Sequence, residues 1–384
     1  MAAGGFMDIE VREQPEVEAV EWDRRVLSLP EGSINQSTHV EGFHSITGGS
    51  AKPVYLVAED NTGRVLGQLL LLQGSYAAPE IVSRPMLKPL HPLCLYFFNT
   101  YSWLEGPLVF EKTQFAAVHS ALLQYVDVKA RRRAFMVRRS TQPRYEDDTL
   151  RQCGHQLFCD YGFQTRKETT FHVQLDRPHE ELWHGLKSSA RKNLKKIAAA
   201  AQLVVTEIEC SEDVQAYWEM LVETQERHGR FISYQTLDQF KAEFWDNPHR
   251  QGILKGLLCR TEDGHAIGGL LFRCFNGWIQ ELGVAYTDYS IEQRLYGHDI
   301  IKWHLIEWGS ENGYRIYDLM GVEIDSADKK KKGIYQFKAK WGGDLAEFTV
   351  YDKVYSLWKA EMIAFGGQVR DRSRNWKARQ KVST

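Results

Sequence analysis

The stretch that most restricts the fold is residues 252–286, "GILKGLLCRTEDGHAIGGLLFRCFNGWIQELGVAY". Three β-branched, aromatic and aliphatic runs are separated at 262–264 and 276–277 by Glu, Asp, Asn and Gly, which favour tight turns. Such short connections join only antiparallel neighbours, so the spacing predicts a three-strand meander. A meander here argues against a doubly wound dinucleotide-binding sheet. The glycine motifs of nucleotide-binding folds are also missing: no GxGxxG opens a helix, and no GxxxxGK[ST] occurs.

The same element order recurs along the chain. "KPVYLVAED" and "VLGQLLLLQG" around "NTGR" predict a hairpin over 52–74, and an amphipathic helix follows from about Thr113 to Arg133. "AFMVRRS" and residues 161–176 return to strands. A short helix over "HEELWHGL", begun by Asp176 and Pro178, leads into a basic helix over 187–201. The second half offers a strand at 203–209, a helix over 211–229 capped by Ser211, a helix at 234–247 and the meander. A single long helix over 290–313, a strand at 314–321 and a last strand and helix complete it. Each half thus runs strand, helix, antiparallel strands, helix, strand. The expected class is α+β: two tandem units, each a mixed sheet flanked by helices, spanning 1–180 and 181–384.

Composition sets the outer bounds. The 384 residues are 43% hydrophobic and 26% charged with a net charge of -2, ordinary for a globular chain. No apolar run reaches the roughly 20 residues a membrane helix needs, so no transmembrane segment is expected. "MAAGGFMDIEVREQ" lacks the basic and apolar regions of a signal peptide. Six scattered cysteines (94, 153, 159, 210, 259, 274) form no close pair and are read as reduced thiols of a cytoplasmic protein, with no metal assigned.

Local charge departs from this neutrality in two places. "GLKSSARKNLKKIAAAA" carries Lys187, Arg191, Lys192, Lys195 and Lys196 without an acid, and helical spacing places all five on one broad face. Like charges at i, i+4 repel, so such a face is either simply solvated or matched to an anion, phosphate above all. "KKKKGIYQFKAKWGG" (329–343) holds six lysines with Tyr335, Phe337 and Trp341 among them. Its alternation predicts a mobile basic approach over 329–332, then an extended or turn-like piece. Lys338, Lys340 and Trp341 are placed at the edge of an apolar cluster, and Gly342 and Gly343 allow tight turning or close ligand approach. A lysine in such a partly desolvated place can hold a developing negative oxygen. Glu281 and Asp318 lie in apolar strands, where an acid needs a partner; each could position an amine or form a core salt bridge. Transfer of an activated acyl group to an amine is the simplest chemistry that fits, since it can rest on positioning and oxyanion stabilisation.

Several of these segments resemble the Fem family of aminoacyl-tRNA-dependent peptidyltransferases. "LWHGLKSSARKNLKKIAAAAQLVV" is similar to the family's arginine-bearing helix, "GIYQFKAKWGG" to its late Phe-Lys motif and "EGPLVFE" to its Gly-Pro segment. "INQSTHVEGFHS" looks like its Gln-Ser region, with histidine and phenylalanine where tryptophan is usual, and "HDIIKWHLIEWGSENGYRIYDLMGV" looks like the helix and strand before the Phe-Lys pair. The resemblance spans about residues 30 to 365 and implies two acetyltransferase-like (GNAT) domains, here without the coiled-coil arm of many members. It implies transfer of an amino acid from aminoacyl-tRNA to an amine, chiefly on a peptidoglycan-precursor peptide, by a monomer without cofactor. Small-amine tailoring in antibiotic synthesis and acyl-CoA-dependent N-acylation are the alternatives. Carried over residue by residue, Lys338 stabilises charge on the ester carbonyl and Phe337 packs beside the reacting end. Arg191 supports phosphate binding or helix docking. Lys192, Lys195, Lys196, Tyr335, Trp341, Glu281 and Asp318 complete the candidate substrate-binding set. The acceptor site is expected in the first domain, the donor and reaction site in the second.

Overall fold

The computed structural model of the protein describes residues 9–40, 51–75, 85–200, 203–228, 236–246 and 252–365. Contacts divide the chain into two units, one of residues 1–44, 48–166 and 350–384, the other of 45–47 and 167–349. This departs from the boundary expected at 180. Residues 350–354 return to the first unit because Tyr351, Lys353 and Val354 pair with Ser140, Val137 and Met136.

In the first unit, strands β1 (Glu10–Gln14), β2 (Lys52–Glu59), β3 (Val65–Ser75) and β4 (Asn99–Ser102) pair antiparallel in that order. Short β5 (Leu108–Val109) also pairs with β3. The predicted hairpin at 52–74 is thus present. Helices α1 (Ala19–Leu27) and α2 (His91–Phe97) precede α3 (Phe115–Arg133), which crosses over to place β6 (Met136–Ser140) parallel to β4. Val118, Leu122, Val126 and Ala130 form the buried stripe of α3, at i, i+4, i+8 and i+12. Helix α4 (Asp148–Asp160) is N-capped by Asp147, whose side chain accepts from the Thr149 and Leu150 N–H groups.

The second unit begins within β7 (Gln164–Gln174). Helices α5 (His179–Gly185) and α6 (Ser188–Ala200) follow, then β8 (Val204–Glu207), α7 (Ser211–Arg227) and α8 (Leu237–Phe240). Ser211 is the first helical residue, with Cys210 as N-cap. The predicted meander is β9 (Leu254–Arg260), β10 (Ala266–Phe275) and β11 (Trp278–Tyr286), antiparallel throughout. The helix expected over 290–313 divides into α9 (Asp288–Glu292) and α10 (Gly297–Glu311), because Arg294 and Tyr296 take left-handed backbone, φ 51 and 54. Helix α10 carries the chain to β12 (Ile316–Asp318), parallel to β11 and antiparallel to β7.

Residues 329–338 are neither extended nor a loop. They form helix α11 (Lys329–Lys338), with the Asp328 carboxylate accepting from the Lys330 N–H at 2.7 Å. Lysine is a good helix former, and an aspartate cap outweighs the suggestion of alternation made by Tyr335 and Phe337. The double glycine then meets backbone, not ligand. Gly342 takes φ +78, and a Cβ there would lie 2.9 Å from the Gly185 carbonyl; one at Gly343 would lie 3.0 Å from the His172 oxygen. Strand β13 (Asp344–Val354) leaves from this turn.

Candidate active site

The site is built where β11 and β12 part. Their ladder holds three pairs, Trp278↔Ile316, Ile279↔Tyr317 and Gln280↔Asp318, while β11 runs on to Tyr286. At that point β11 is bulged: Phe272 faces Glu281 and Leu271 faces Gly283, leaving Leu282 as the extra residue. Strand β12 turns off at Met320, φ 64. Asp318 holds the turn, its Oδ1 accepting from the Met320 N–H at 2.8 Å and from the Thr170 hydroxyl at 2.6 Å. The chain then follows β7, with the Val322 N–H donating to the Thr169 carbonyl at 2.8 Å.

Three polar side chains meet beside this parting. Lys302 of α10, 1% exposed, donates to the Glu281 carboxylate and to the Tyr317 hydroxyl at 2.8 Å. Tyr317 donates in turn to Glu281 Oε2 at 2.9 Å. Burial pushes the Lys302 ammonium well below its ordinary range, and the charges of Lys338 and Lys340 add to this; the Glu281 carboxylate opposes both. Burial, with Asp318 nearby, pushes the Tyr317 phenol well up. Glu281 is therefore in the salt bridge its apolar strand demanded, and Asp318 is satisfied by a hydroxyl and a backbone N–H.

Lys338 ends α11 at the same place. Its half-buried Nζ donates to the carbonyls of Met320 at 3.0 Å and Gly321 at 3.1 Å. Burial lowers its pKa to about 8, partly offset by Asp318. Two of three ammonium N–H groups are thus engaged on carbonyls, which leaves the third for a ligand oxygen. Phe337, half-buried, meets Trp341 edge-on at 6.0 Å and lies 4.4 Å beneath the Lys340 ammonium. Tyr335 packs on Phe171 at 5.4 Å.

Other predicted residues are placed differently. Trp341 is 1% exposed within the apolar core, so it supports α11 from beneath and offers no face to a substrate. Arg191 turns inward, its Nη1 donating to the His184 and Leu186 carbonyls at 2.8 and 2.7 Å. It closes the end of α5, which is the helix-docking alternative. The five basic residues do not share one face: Lys187 precedes α6 and Arg191 is half-buried, while Lys187, Lys192, Lys195 and Lys196 are exposed. Lys196 sits 5.4 Å over the Tyr296 ring. Lys329–332 are exposed helical residues of the first turns of α11, with Lys331 paired to Glu323.

Two supporting groups were missed in the sequence. Lys302 is a lone charge inside the apolar run "IIKWHLI", which is the signal that could have found it. Asp299 is 3% exposed and accepts from Lys340 at 2.7 and 2.9 Å and from Asn193 at 2.7 Å. This ties α6 and α10 to the segment after α11. An open depression of about 550 Å³ lined by His179, Glu180, Trp183, His184 and Trp303 contains none of these groups.

In sequence, no family model matches the chain, and no curated protein is similar to it. Solved structures are similar in fold. FemX aligns over 88% of this chain and 96% of its own with a TM-score of 0.67 at 16% identity. The C-terminal domain of a putative lysylphosphatidylglycerol synthetase from Agrobacterium fabrum aligns over 91% and 95%, TM-score 0.53, at 12% identity. A tandem GNAT protein from the clavulanic acid biosynthesis pathway aligns over 91% and 99%, TM-score 0.51, at 13% identity. The expected fold is therefore present: two tandem acetyltransferase-like units.

Proposed function

We propose that the protein is an acyltransferase that moves an amino acid from aminoacyl-tRNA to an amine, forming an amide bond. The observation that carries this reading is Lys338: a half-buried ammonium at the parting of two strands, held by two backbone carbonyls with a third N–H to give. In the reaction the acceptor nitrogen attacks the ester carbonyl carbon. The carbonyl oxygen gains charge, and Lys338 donates to it. The carbon–oxygen bond to the ribose then breaks, and the amine proton leaves with the ribose oxygen or through water. Desolvation strengthens the ammonium's effect on that oxygen. Phe337 borders the reacting carbon.

The tRNA phosphates face the exposed lysines of this unit, Lys187, Lys192, Lys195, Lys196 and Lys329, Lys330 and Lys332 among them. Lys331 is engaged with Glu323 and serves less. Donor and reaction belong to the second unit, and the acceptor to the first. A peptidoglycan-precursor peptide is the first acceptor to try; a small amine of an antibiotic pathway is the second.

The test is turnover with charged tRNAs and a panel of amines, with acyl-CoA as the control donor. Product from charged tRNA, lost in Lys338→Ala while tRNA binding is retained, is the expected result. Product from acyl-CoA and never from charged tRNA would replace the donor.

A further inference from the structure

The first unit carries an apolar face that its own core does not cover. Met86, Leu90, Leu93 and Phe97 recur at i, i+4, i+7 and i+11 through the turn Pro85–Leu90 and α2, and are 92, 45, 55 and 41% exposed. Residues 357–365, "LWKAEMIAF", form a helix that presents Trp358, Met362 and Phe365 at i, i+4 and i+7, each more than half exposed. On that helix Lys359, Ala360 and Ile363 are the more buried residues. The usual amphipathic order is inverted: the large apolar side chains face out. The two helices adjoin, since the Lys359 ammonium lies 5.8 Å over the Phe97 ring and 5.5 Å over Trp358.

The rim of this face is basic. Helix α3 ends in Arg131, Arg132 and Arg133, all exposed. The Arg133 carbonyl accepts from the Asn99 side chain two residues after Phe97, and the Arg131 guanidinium lies 5.7 Å over Tyr355, two residues before Leu357. Asp127 engages Arg131, and Glu361 is the one acid of the 357–365 helix. Directly after it, residues 366–384 hold six lysines and arginines against one aspartate.

We propose that this face docks the protein on an anionic lipid bilayer, with Trp358, Met362, Phe365 and the α2 stripe at the acyl boundary and the arginines among the headgroups. Apolar burial and attraction to anionic lipid add in such interfacial helices. Pairing with a second copy would instead bring two basic rims together, and like charges oppose that.

The test is flotation of the full chain with vesicles of phosphatidylcholine and phosphatidylglycerol in equal parts, against phosphatidylcholine alone, at 0.15 M salt. Binding to the anionic vesicles at least tenfold above the neutral ones is expected. The variant W358S/M362S/F365S should lose at least tenfold of that binding with unchanged circular dichroism. R132E/R133E, at exposed positions, should lose several-fold and flatten the salt dependence. Equal flotation with both vesicle types, none with either, or wild-type flotation of the triple variant overturns the proposal. So does a dimer in light scattering that the triple substitution turns to monomer, since a second copy is then the occupant.

Discussion

In the first unit, β4 and β6 run parallel over two pairs, Thr100↔Met136 and Tyr101↔Val137, and the space beyond them is filled. The Thr141 N–H donates to the Trp103 carbonyl, and Thr141 accepts from the Glu105 and Gly106 N–H groups at 2.8 and 3.0 Å. The Glu105 carboxylate accepts from Ser33, from Asn35 at 2.7 Å and from Arg144. Gln36, fully buried, bonds the Leu70 N–H and the Leu70 and Leu104 carbonyls. In the second unit, β11 and β12 part after three pairs, and the side chains beside the parting include the ionisable Lys302, Glu281 and Lys338, with Lys338 half-buried and one N–H to give. One crossover geometry thus yields two outcomes. Where polar groups satisfy one another, the gap becomes structure; where an ammonium is left underused, it can do chemistry.

The largest effect should come from Lys302, the most buried charge of the open parting. Lys302→Met strands the Glu281 carboxylate and should cost about 3–5 kcal/mol of stability, read by urea unfolding of the second unit. Lys302→Met with Glu281→Leu should recover most of that loss. A single substitution costing under about 1 kcal/mol would mean that the pair does not hold the parting together. Lys338→Ala should be nearly as large in rate and small in stability: transfer about 10²–10³-fold slower, since one donor to the developing oxyanion is removed. Equal single-turnover rates for variant and wild type would end the contrast between the two partings.

Glu105→Gln probes the closed side. It removes the charge that Arg144, Ser33 and Asn35 share and should destabilise by about 1–3 kcal/mol, with transfer per folded molecule unchanged. A loss of rate without loss of stability would move function into the first unit's plug.

The pH profile separates the partings further, because burial sets Lys338 to about 8, below its usual 10.5. Above that value the ammonium loses its proton, so transfer should fall about tenfold by one pH unit above the midpoint. Stability moves the other way. The unfolded chain still binds the proton between about 8 and 10.5, so the penalty of burying the charge is full below 8 and is relieved as pH rises through that window. A rate that falls only together with unfolding would show that Lys338 titration is not what is being read.

How much of this was legible depended on which interactions are local. The meander could be read because strand alternation and Asn-Gly or Asp-Gly turns are written in adjacent residues. Lys338 could be singled out by resemblance, and the need of Glu281 for a partner by its apolar strand. The partner itself could not, since Lys302 is 21 residues away and meets Glu281 only across the crossover. Helix α11 was misread because Tyr335 and Phe337 suggest a period of two, while the Asp328 cap and run of lysines favour the helix. Trp341 was misread for another reason: an aromatic beside lysines looks exposed, yet the double glycine brings it under α11 and into the core.

The smallest expected effect concerns the solvated face of α6. Arg191 is spent on the His184 and Leu186 carbonyls, so its substitution should loosen the α5–α6 corner and is a poor probe of polyanion binding. Lys192 and Lys196 are exposed, so Lys192→Gln/Lys196→Gln should leave folding unchanged and weaken tRNA binding only several-fold at 0.15 M salt. Each phosphate contact adds about 0.7–0.9 to the slope of log affinity against log salt, so losing both should flatten it by between about 1 and 2. The corresponding change on the first unit, R132Q/R133Q, should leave that slope where it was if tRNA binds the second unit alone. An unchanged slope in the α6 variant would return that face to ordinary solvation and leave tRNA recognition to α11.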